Sequence, residues 1–296
     1  MPGAPADTAA SGLRLGAYVL IGDPAHLERS LASYYDIVER IVAVYDEDGI
    51  GWNGHPLALD TCRTLIDGVD RAGKVQWLGG SFHEASVGSL ELDTRQRRAG
   101  IAALDDVDWV LQLDTDEVLG NPERFVASLQ RAQDAGRDAL LYPARWIYGH
   151  LSGDRYLERC RRLWGISATF PGPVAVRAGT QLGLARQCEG SAWRVDFGRH
   201  NTDPAYEPDT VIDERVSGSD AIWHFSWDRS EEAMRRKGIS SGHAGDFAWN
   251  HAIDEWLERR RHPWRTTLGT PLRRRPPVVG GPTWLRVVRL PERVTG

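Results

Sequence analysis

Three carboxylates close an apolar run in Val110-Leu111-Gln112-Leu113-Asp114-Thr115-Asp116-Glu117. A run of this composition reads as a strand buried in a parallel sheet, and the C-terminal ends of such strands open onto the crevice where α/β folds bind ligands. Carboxylates set there, two of them flanking a small residue, are hard oxygen ligands suited to Mg²⁺ or Mn²⁺ carrying a phosphorylated substrate. The same letters also describe an ordinary acidic turn after a strand, so the neighbouring elements have to decide. Clustered acids repel, which predicts that Asp116→Ala leaves stability unchanged or raises it.

The elements before the motif alternate between two periods. Leu13 to Ile21 is a strand ending at Gly22-Asp23-Pro24, and Leu27, Leu31, Tyr34, Tyr35 and Val38 follow at helical spacing. Ile41 to Tyr45 is a second strand, closed by Asp46-Glu47-Asp48-Gly49. Cys62, Leu65, Ile66 and Val69 mark a helix, Val75 to Leu78 a third strand, and Leu92 to Leu104 the helix leading into the fourth strand, Trp109 to Leu113. This alternation predicts an α/β fold with a mostly parallel sheet and helices on both faces. Past Pro122 come another helix and a strand at Ala139 to Tyr142. Beyond Arg145 the pattern loosens into short aromatic runs, which reads as an irregular, partly antiparallel half. Ala221 to Trp227 is a late strand, with helices over Ser230 to Ile239 and His251 to Arg261.

The expected organisation is a disordered lead-in over 1–12 and one domain over 13–261. That domain divides into a nucleotide-binding half at 13–121 and an acceptor half at 122–261. Residues 262–296, Pro- and Arg-rich around Arg273-Arg274-Arg275-Pro276-Pro277, form a tail. The tail reads either as a solvated arm or as a basic contact for an anionic partner or membrane surface. The lead-in has neither the basic start nor the apolar core of a signal peptide.

Composition narrows the function classes. A net charge of -5 argues against a nucleic-acid partner, whose affinity comes mainly from neutralised phosphates. No apolar run approaches the ~18 residues of a transmembrane segment. Lys74 and Lys237 are the only lysines, an arginine bias expected of a GC-rich bacterial genome. Cys62, Cys160 and Cys188 are odd in number and widely spaced, which fits thiols of a reducing cytoplasm better than disulfides or a zinc site. Twelve tryptophans offer faces for sugar rings, although each taken singly reads first as core.

With Asp46 after the second strand and Asp114-Thr115-Asp116-Glu117 after the fourth, the first half resembles the glycosyltransferase family 2 superfamily, of GT-A (Rossmann-like) fold. The segment Trp223-His224-Phe225-Ser226-Trp227, then Ser230-Glu231-Glu232, Arg236-Lys237 and His243, is similar to the end of the β-1,4-mannosyl-glycoprotein N-acetylglucosaminyltransferase family. The resemblance covers roughly Leu13 to Asp246. It implies a metal-dependent enzyme, using Mn²⁺ or Mg²⁺, that moves a sugar from a UDP-, GDP- or dTDP-sugar to a hydroxyl of a carbohydrate, natural-product or protein acceptor, with inversion. Asp116 is then the direct metal ligand, Asp114 a ribose or outer-sphere partner, Glu117 a support, and His224 the third protein ligand. Lys237, with Arg236, is expected on the diphosphate, and Asp46 near base or ribose. Asp93 and Arg97 are expected beside the nucleotide, Arg97 chosen over Arg95 and Arg98 to face phosphate. For the base that takes the acceptor's proton the candidates are Glu189 and Asp246, with Asp196 and Asp213 behind them. Trp146, Trp164, Trp193 and Trp227 are expected around the acceptor.

Several of these residues carry blander readings. His224 among aromatics also suits a packed core histidine, Asp46 a turn cap, and Arg236 a solvated helix face. Two other functions stay open. In a haloacid-dehalogenase-like phosphatase Asp114 would be the nucleophile and Asp116 the general acid, with Lys237 and Gly245-Asp246 completing the site. A non-catalytic sugar- or nucleotide-binding protein would use the aromatics without turnover.

Overall fold

The computed structural model describes residues 12–240, 248–269 and 284–295. His243 and Asp246, most of the lead-in, and Arg273 to Pro277 lie outside these residues.

The chain forms an α/β structure with two sheets. The first half supplies β1 (Leu15–Leu20), α1 (Leu27–Tyr34), β2 (Arg40–Asp46), α2 (Leu59–Val69), β3 (Val75–Gly80), α3 (Ser89–Ala102), β4 (Trp109–Leu111) and β5 (Glu117–Leu119). The middle of the chain adds α4 (Pro122–Asp134), β6 (Ala139–Leu141), β7 (Ala144–Ser152), β8 (Arg155–Cys160), β9 (Ala175–Arg177), β10 (Ala192–Asp196), β11 (Glu214–Arg215) and β12 (Ile222–His224). The last elements are α5 (Glu231–Ser240), α6 (Trp249–Arg261), α7 (Pro263–Gly269) and β13 (Trp284–Arg289), followed by a short turn of helix.

The eight-stranded sheet runs β11-β10-β6-β9-β4-β1-β2-β3. β1 lies parallel to β2 and β4, and β2 parallel to β3. Alternation along β1 sends Leu15, Ala17 and Val19 into the core under α1, α2 and α4, while Tyr18 packs on the other face with Ile101 of α3. Helices therefore cover both faces, as the alternating periods predict. Gly100 lets α3 sit close on β1: a Cβ there would meet Tyr18 Cγ at 2.7 Å. That close approach carries Arg97 and Asp93, one and two turns earlier on α3, to the C-terminal edge of the sheet.

The division near Asn121 does not separate two bodies. β9, from the second half, is antiparallel to both β4 and β6 and continues the large sheet. β5, from the first half, leaves it for a five-stranded sheet of order β13-β8-β7-β12-β5. The antiparallel β5–β12 ladder sets His224 opposite Glu117, and the parallel β12–β7 ladder sets it beside Trp146. At the end of β5, Gly120 passes so close to β12 that a Cβ would stand 2.4 Å from Ala221 O.

The expectation of a tail loose on the domain fails for its described parts. Trp284 to Arg289 pairs antiparallel with β8 along its full length, and Leu285 packs with Leu157, Met234, Ile253 and Trp256. Proline and arginine dominate the composition of this region and mask the strand that follows them. Leu285→Ala should therefore cost about 2–5 kcal/mol in denaturant unfolding. An unchanged midpoint would place β13 outside the core.

Candidate active site

The ends of β1, β2 and β4 open onto a cleft of about 1440 Å³ whose opposite side is formed by α5, α6 and the segment after β12. A pocket for one small ligand is ~300–1,000 Å³, so this cleft has room for two substrates. Asp114, Asp116 and His224 line it.

The acid motif is a tight turn pinned from three sides. Glu117 N–H donates to Asp114 O at 3.0 Å, and Asp114 N–H donates to Glu117 Oε2 at 2.9 Å. Ser30 Oγ of α1 donates to Glu117 O at 2.7 Å. Glu117 itself is fully buried and accepts from Arg186 Nη2 at 2.6 Å, so it braces the turn. Asp114 and Asp116 are left pointing to opposite groups of cations. Asp114 accepts from Arg97 at 2.8 Å and pairs with Arg186 at 2.5 Å. Asp116 Oδ2 accepts from Arg229 at 2.9 Å and Lys237 at 3.0 Å, while its Oδ1 faces His224 Nε2 at 3.3 Å. Asp93 completes the set by holding Arg97 Nε at 2.9 Å.

These contacts shift the protonation equilibria. Burial opposes ionisation of Asp116, but Lys237, His224 and Arg229 outweigh it and hold the carboxyl well below the usual range. Asp114 behaves the same way: burial is overcome by Arg186 and Arg97, and its pKa falls. Burial also works against a charged His224, yet Asp116 raises its pKa above the ordinary value. Across the cleft, burial together with Arg29 and Arg229 pushes His26 down to about 4, so it is neutral at pH 7.

Among the described residues, Asp116 and His224 are the pair whose spacing can be compared with two ligands of one divalent ion. Two ligands about 2.1 Å from an octahedral ion and at right angles stand roughly 3 Å apart, which the Asp116–His224 pair approaches. Asp114, expected as a ribose or outer-sphere partner of the ion, has both oxygens paired with arginines. Among the described residues no three His, Cys, Asp or Glu side chains converge as a metal-binding group. An ion at Asp116 and His224 would therefore need its other ligands from substrate oxygens and water.

Other expected residues fall in different places. Asp46 lines the cleft, but its carboxylate accepts four backbone N–H groups, from Asp48, Ile50, Phe82 and His83. Its lone pairs are used in closing loops, the turn-cap reading. Arg97 is clamped between Asp93 and Asp114 rather than open to a ligand. Arg95 pairs with Glu84, and Arg98 donates to Leu182 O. Glu189 is exposed and absent from the cleft lining. Asp196 is fully buried and binds the backbone of Phe197 and Thr202, and Asp213 binds Arg194 N–H, so neither faces the cleft. Of the carboxylates that do line it, Asp23 pairs with Arg229 and Asp228 with Arg29.

Trp146 and Trp227 border the cleft. Trp164 sits on the surface against Thr267, and Trp193 binds Glu214 away from it. Trp249 and Trp52, which sequence reasoning passed over, line the cleft instead. Arg186 and Arg229 were missed as well. Each is a lone arginine in an irregular segment and lies far along the chain from the acids it neutralises, so no local pattern marks it.

No protein-family model matches this chain, and no curated protein matches it. Solved structures that resemble it do so loosely. A 4-diphosphocytidyl-2C-methyl-D-erythritol synthase from Anaerococcus prevotii has a TM-score of 0.35 and 15% identity, over 57% of this chain and 73% of that one. A mannose-6-phosphate isomerase from Helicobacter pylori has a TM-score of 0.28 and 14% identity, over 48% of this chain and 53% of that one. A mannose-1-phosphate geranyltransferase from Thermus thermophilus also has a TM-score of 0.28, with 13% identity, over 57% of this chain and 51% of that one. This chain thus spans about half the length of the last two. Likeness at this level carries no argument about chemistry, which rests on the geometry of the cleft.

The ion pairs reverse the expectation drawn from repelling acids. Arg186→Ala would leave Glu117 and Asp114 short of a buried partner and should destabilise the fold by about 3–5 kcal/mol. Asp116→Asn should also lower stability at pH 7. Its folded pKa lies below the unfolded value of about 3.9, so the wild-type advantage is present above that pH and is lost as pH falls through the folded value. Urea unfolding of both variants from pH 7 to pH 3 checks this. A wild-type margin over Asp116→Asn that failed to shrink in acid would contradict it.

Proposed function

We propose that this protein is a glycosyltransferase that moves a sugar from a nucleoside-diphosphate donor to an acceptor hydroxyl, with inversion. The observation that carries this reading is the placing of Asp114 and Asp116 at the C-terminal strand edge, each bound to cations that reach into a cleft large enough for two substrates. The leaving group of such a transfer is a nucleoside diphosphate. Charge growing on it has to be met by positive groups already in place. Lys237 and Arg229 stand beside Asp116 for that task, and Lys237 is steadied by Ser226 Oγ at 3.0 Å.

Asp116 and His224 would hold Mg²⁺ or Mn²⁺, which when bound supplies Lewis-acid charge to the diphosphate. Arg97 and Arg186 keep Asp114 ionised and directed at the cleft, where its half-exposed carboxylate can take a ribose hydroxyl. Trp146 and Trp249, partly exposed and backed by the buried Trp227, offer the acceptor an aromatic wall. Asp23 and Asp228 are the cleft carboxylates placed to take its proton. Asp246, the remaining base candidate, lies outside the described residues.

The phosphatase alternative is disfavoured by one observation. Both oxygens of Asp114 are ion-paired with arginines that lower their basicity and nucleophilicity, while each keeps a lone pair for a hydroxyl donor. Lys237 also contacts Asp116 rather than Asp114.

Thermal-shift titration with UDP-, GDP- and dTDP-sugars in Mn²⁺, Mg²⁺ or EDTA tests the proposal, because a ligand of the folded state raises the melting temperature. One nucleotide should give a metal-dependent rise that Asp116→Ala abolishes. His224→Ala should weaken the metal response while leaving the ligand-free melting temperature within a few degrees. No shift with any donor, together with hydrolysis of a generic phosphate ester, would overturn it.

A further inference from the structure

Away from the cleft, four large apolar side chains face solvent together. Leu163 is 67% exposed, Trp164 38%, Trp264 62% and Leu268 65%. The first two lie in the turn after β8, the others on α7. Trp164 Nε1 donates to Thr267 O at 3.1 Å, which pins the turn against α7 next to Leu268. Trp264 and Leu268 are four residues apart and share a face of that helix.

The turn is held in this shape against its own preference. Leu163 and Trp164 have φ of 65° and 62°, the left-handed region that side chains with a Cβ avoid. Arg161 N–H donates to Gly165 O at 2.7 Å, and Arg286 Nη1 donates to Trp164 O at 2.8 Å, so the backbone is fixed from both sides. A strained turn that displays a leucine and a tryptophan, rather than burying them, marks a contact surface.

The surrounding charge says what kind. Residues 161–166 and 261–269 contain Arg161, Arg162, Arg261 and Arg265, all exposed, and no aspartate or glutamate. In a chain of net charge -5 this is a local concentration of positive charge. Tryptophan settles at the headgroup level of a bilayer, leucine enters the acyl boundary, and arginines attract anionic lipid. A nucleic acid would use the arginines but would leave Leu163 and Leu268 without purpose.

We propose that Leu163, Trp164, Trp264 and Leu268, with the arginines around them, form a docking surface for anionic phospholipid membranes. It adds to the donor and acceptor reading of the cleft and does not depend on it. Bound peripherally, the protein would carry out its chemistry at a lipid–water interface.

Co-sedimentation of the full chain with phosphatidylcholine vesicles, and with vesicles of equal parts phosphatidylcholine and phosphatidylglycerol, tests the surface. Binding is expected to the anionic vesicles alone and should weaken as salt rises. The double variant Trp264→Ser/Leu268→Ser should lose at least about tenfold in partitioning, since each side chain loses its burial in lipid. These positions are exposed, so its melting temperature should match wild type; Leu163→Ser provides an independent second variant. No binding to anionic vesicles overturns the proposal. So does binding that both variants retain, including binding that disappears only on Arg273→Ser/Arg274→Ser/Arg275→Ser. A wild-type dimer in light scattering that the double variant dissolves would assign the patch to self-association instead.

Discussion

Four buried or half-buried carboxylates, Asp93, Asp114, Asp116 and Glu117, are interleaved with Arg97, Arg186, Arg229 and Lys237, and the rest of the site depends on that balance. A buried charge without a partner costs several kcal/mol, so each group constrains the element that carries its counter-ion. Arg97 ties α3 to the end of β4. Arg186 ties an irregular loop to the same turn, and Arg229 and Lys237 tie the segment before α5 and the last turn of that helix to Asp116. Carbon–carbon packing supplies the stability of each sheet. The ion pairs lock the turn that joins β4 of one sheet to β5 of the other onto the helices and loops around it.

That division explains what the amino-acid sequence reveals and what it conceals. Alternating helical and strand periods come from local packing, so β1 to β4 and α1 to α4 are legible in order and nearly in extent. The acid motif is legible because three carboxylates after an apolar run are rare enough to notice. His224 is visible only through resemblance, since what brings it to Asp116 is the β5–β12 register, a contact between segments 107 positions apart that no local pattern encodes. Arg186 and Arg229 are hidden for the same reason. Asp46 shows the opposite error. An acid after β2 looks available for a nucleotide, but the loops at Ile50 and Phe82 need a common acceptor and consume it.

The aromatic side of the cleft has a different character. Trp227 stacks at 5.4 Å on Tyr148 and 6.1 Å on Trp249, and meets Trp146 edge-on at 6.4 Å. Trp256 closes the stack from behind and is held by Tyr148 O at 2.8 Å. Such a wall is rigid through mutual packing and offers flat apolar faces, whereas the acid–cation side is rigid through charge. A ligand with a charged end and an apolar or sugar-like end has a distinct surface for each.

The charge balance also constrains how a diphosphate enters under the proposed function. Lys237 and Arg229 are both engaged with Asp116. Phosphate oxygens can recruit them only to the extent that Asp116 finds another positive partner, or it is left buried and uncompensated. A divalent ion at Asp116 and His224 is such a partner, so occupation of that place and recruitment of the cations favour one another. Linkage makes the effect reciprocal: whatever the ion adds to nucleotide affinity, the nucleotide adds to ion affinity. Under that reading the ion pairs serve the transfer instead of competing with it, since they hold the cations within reach and keep Asp116 ionised.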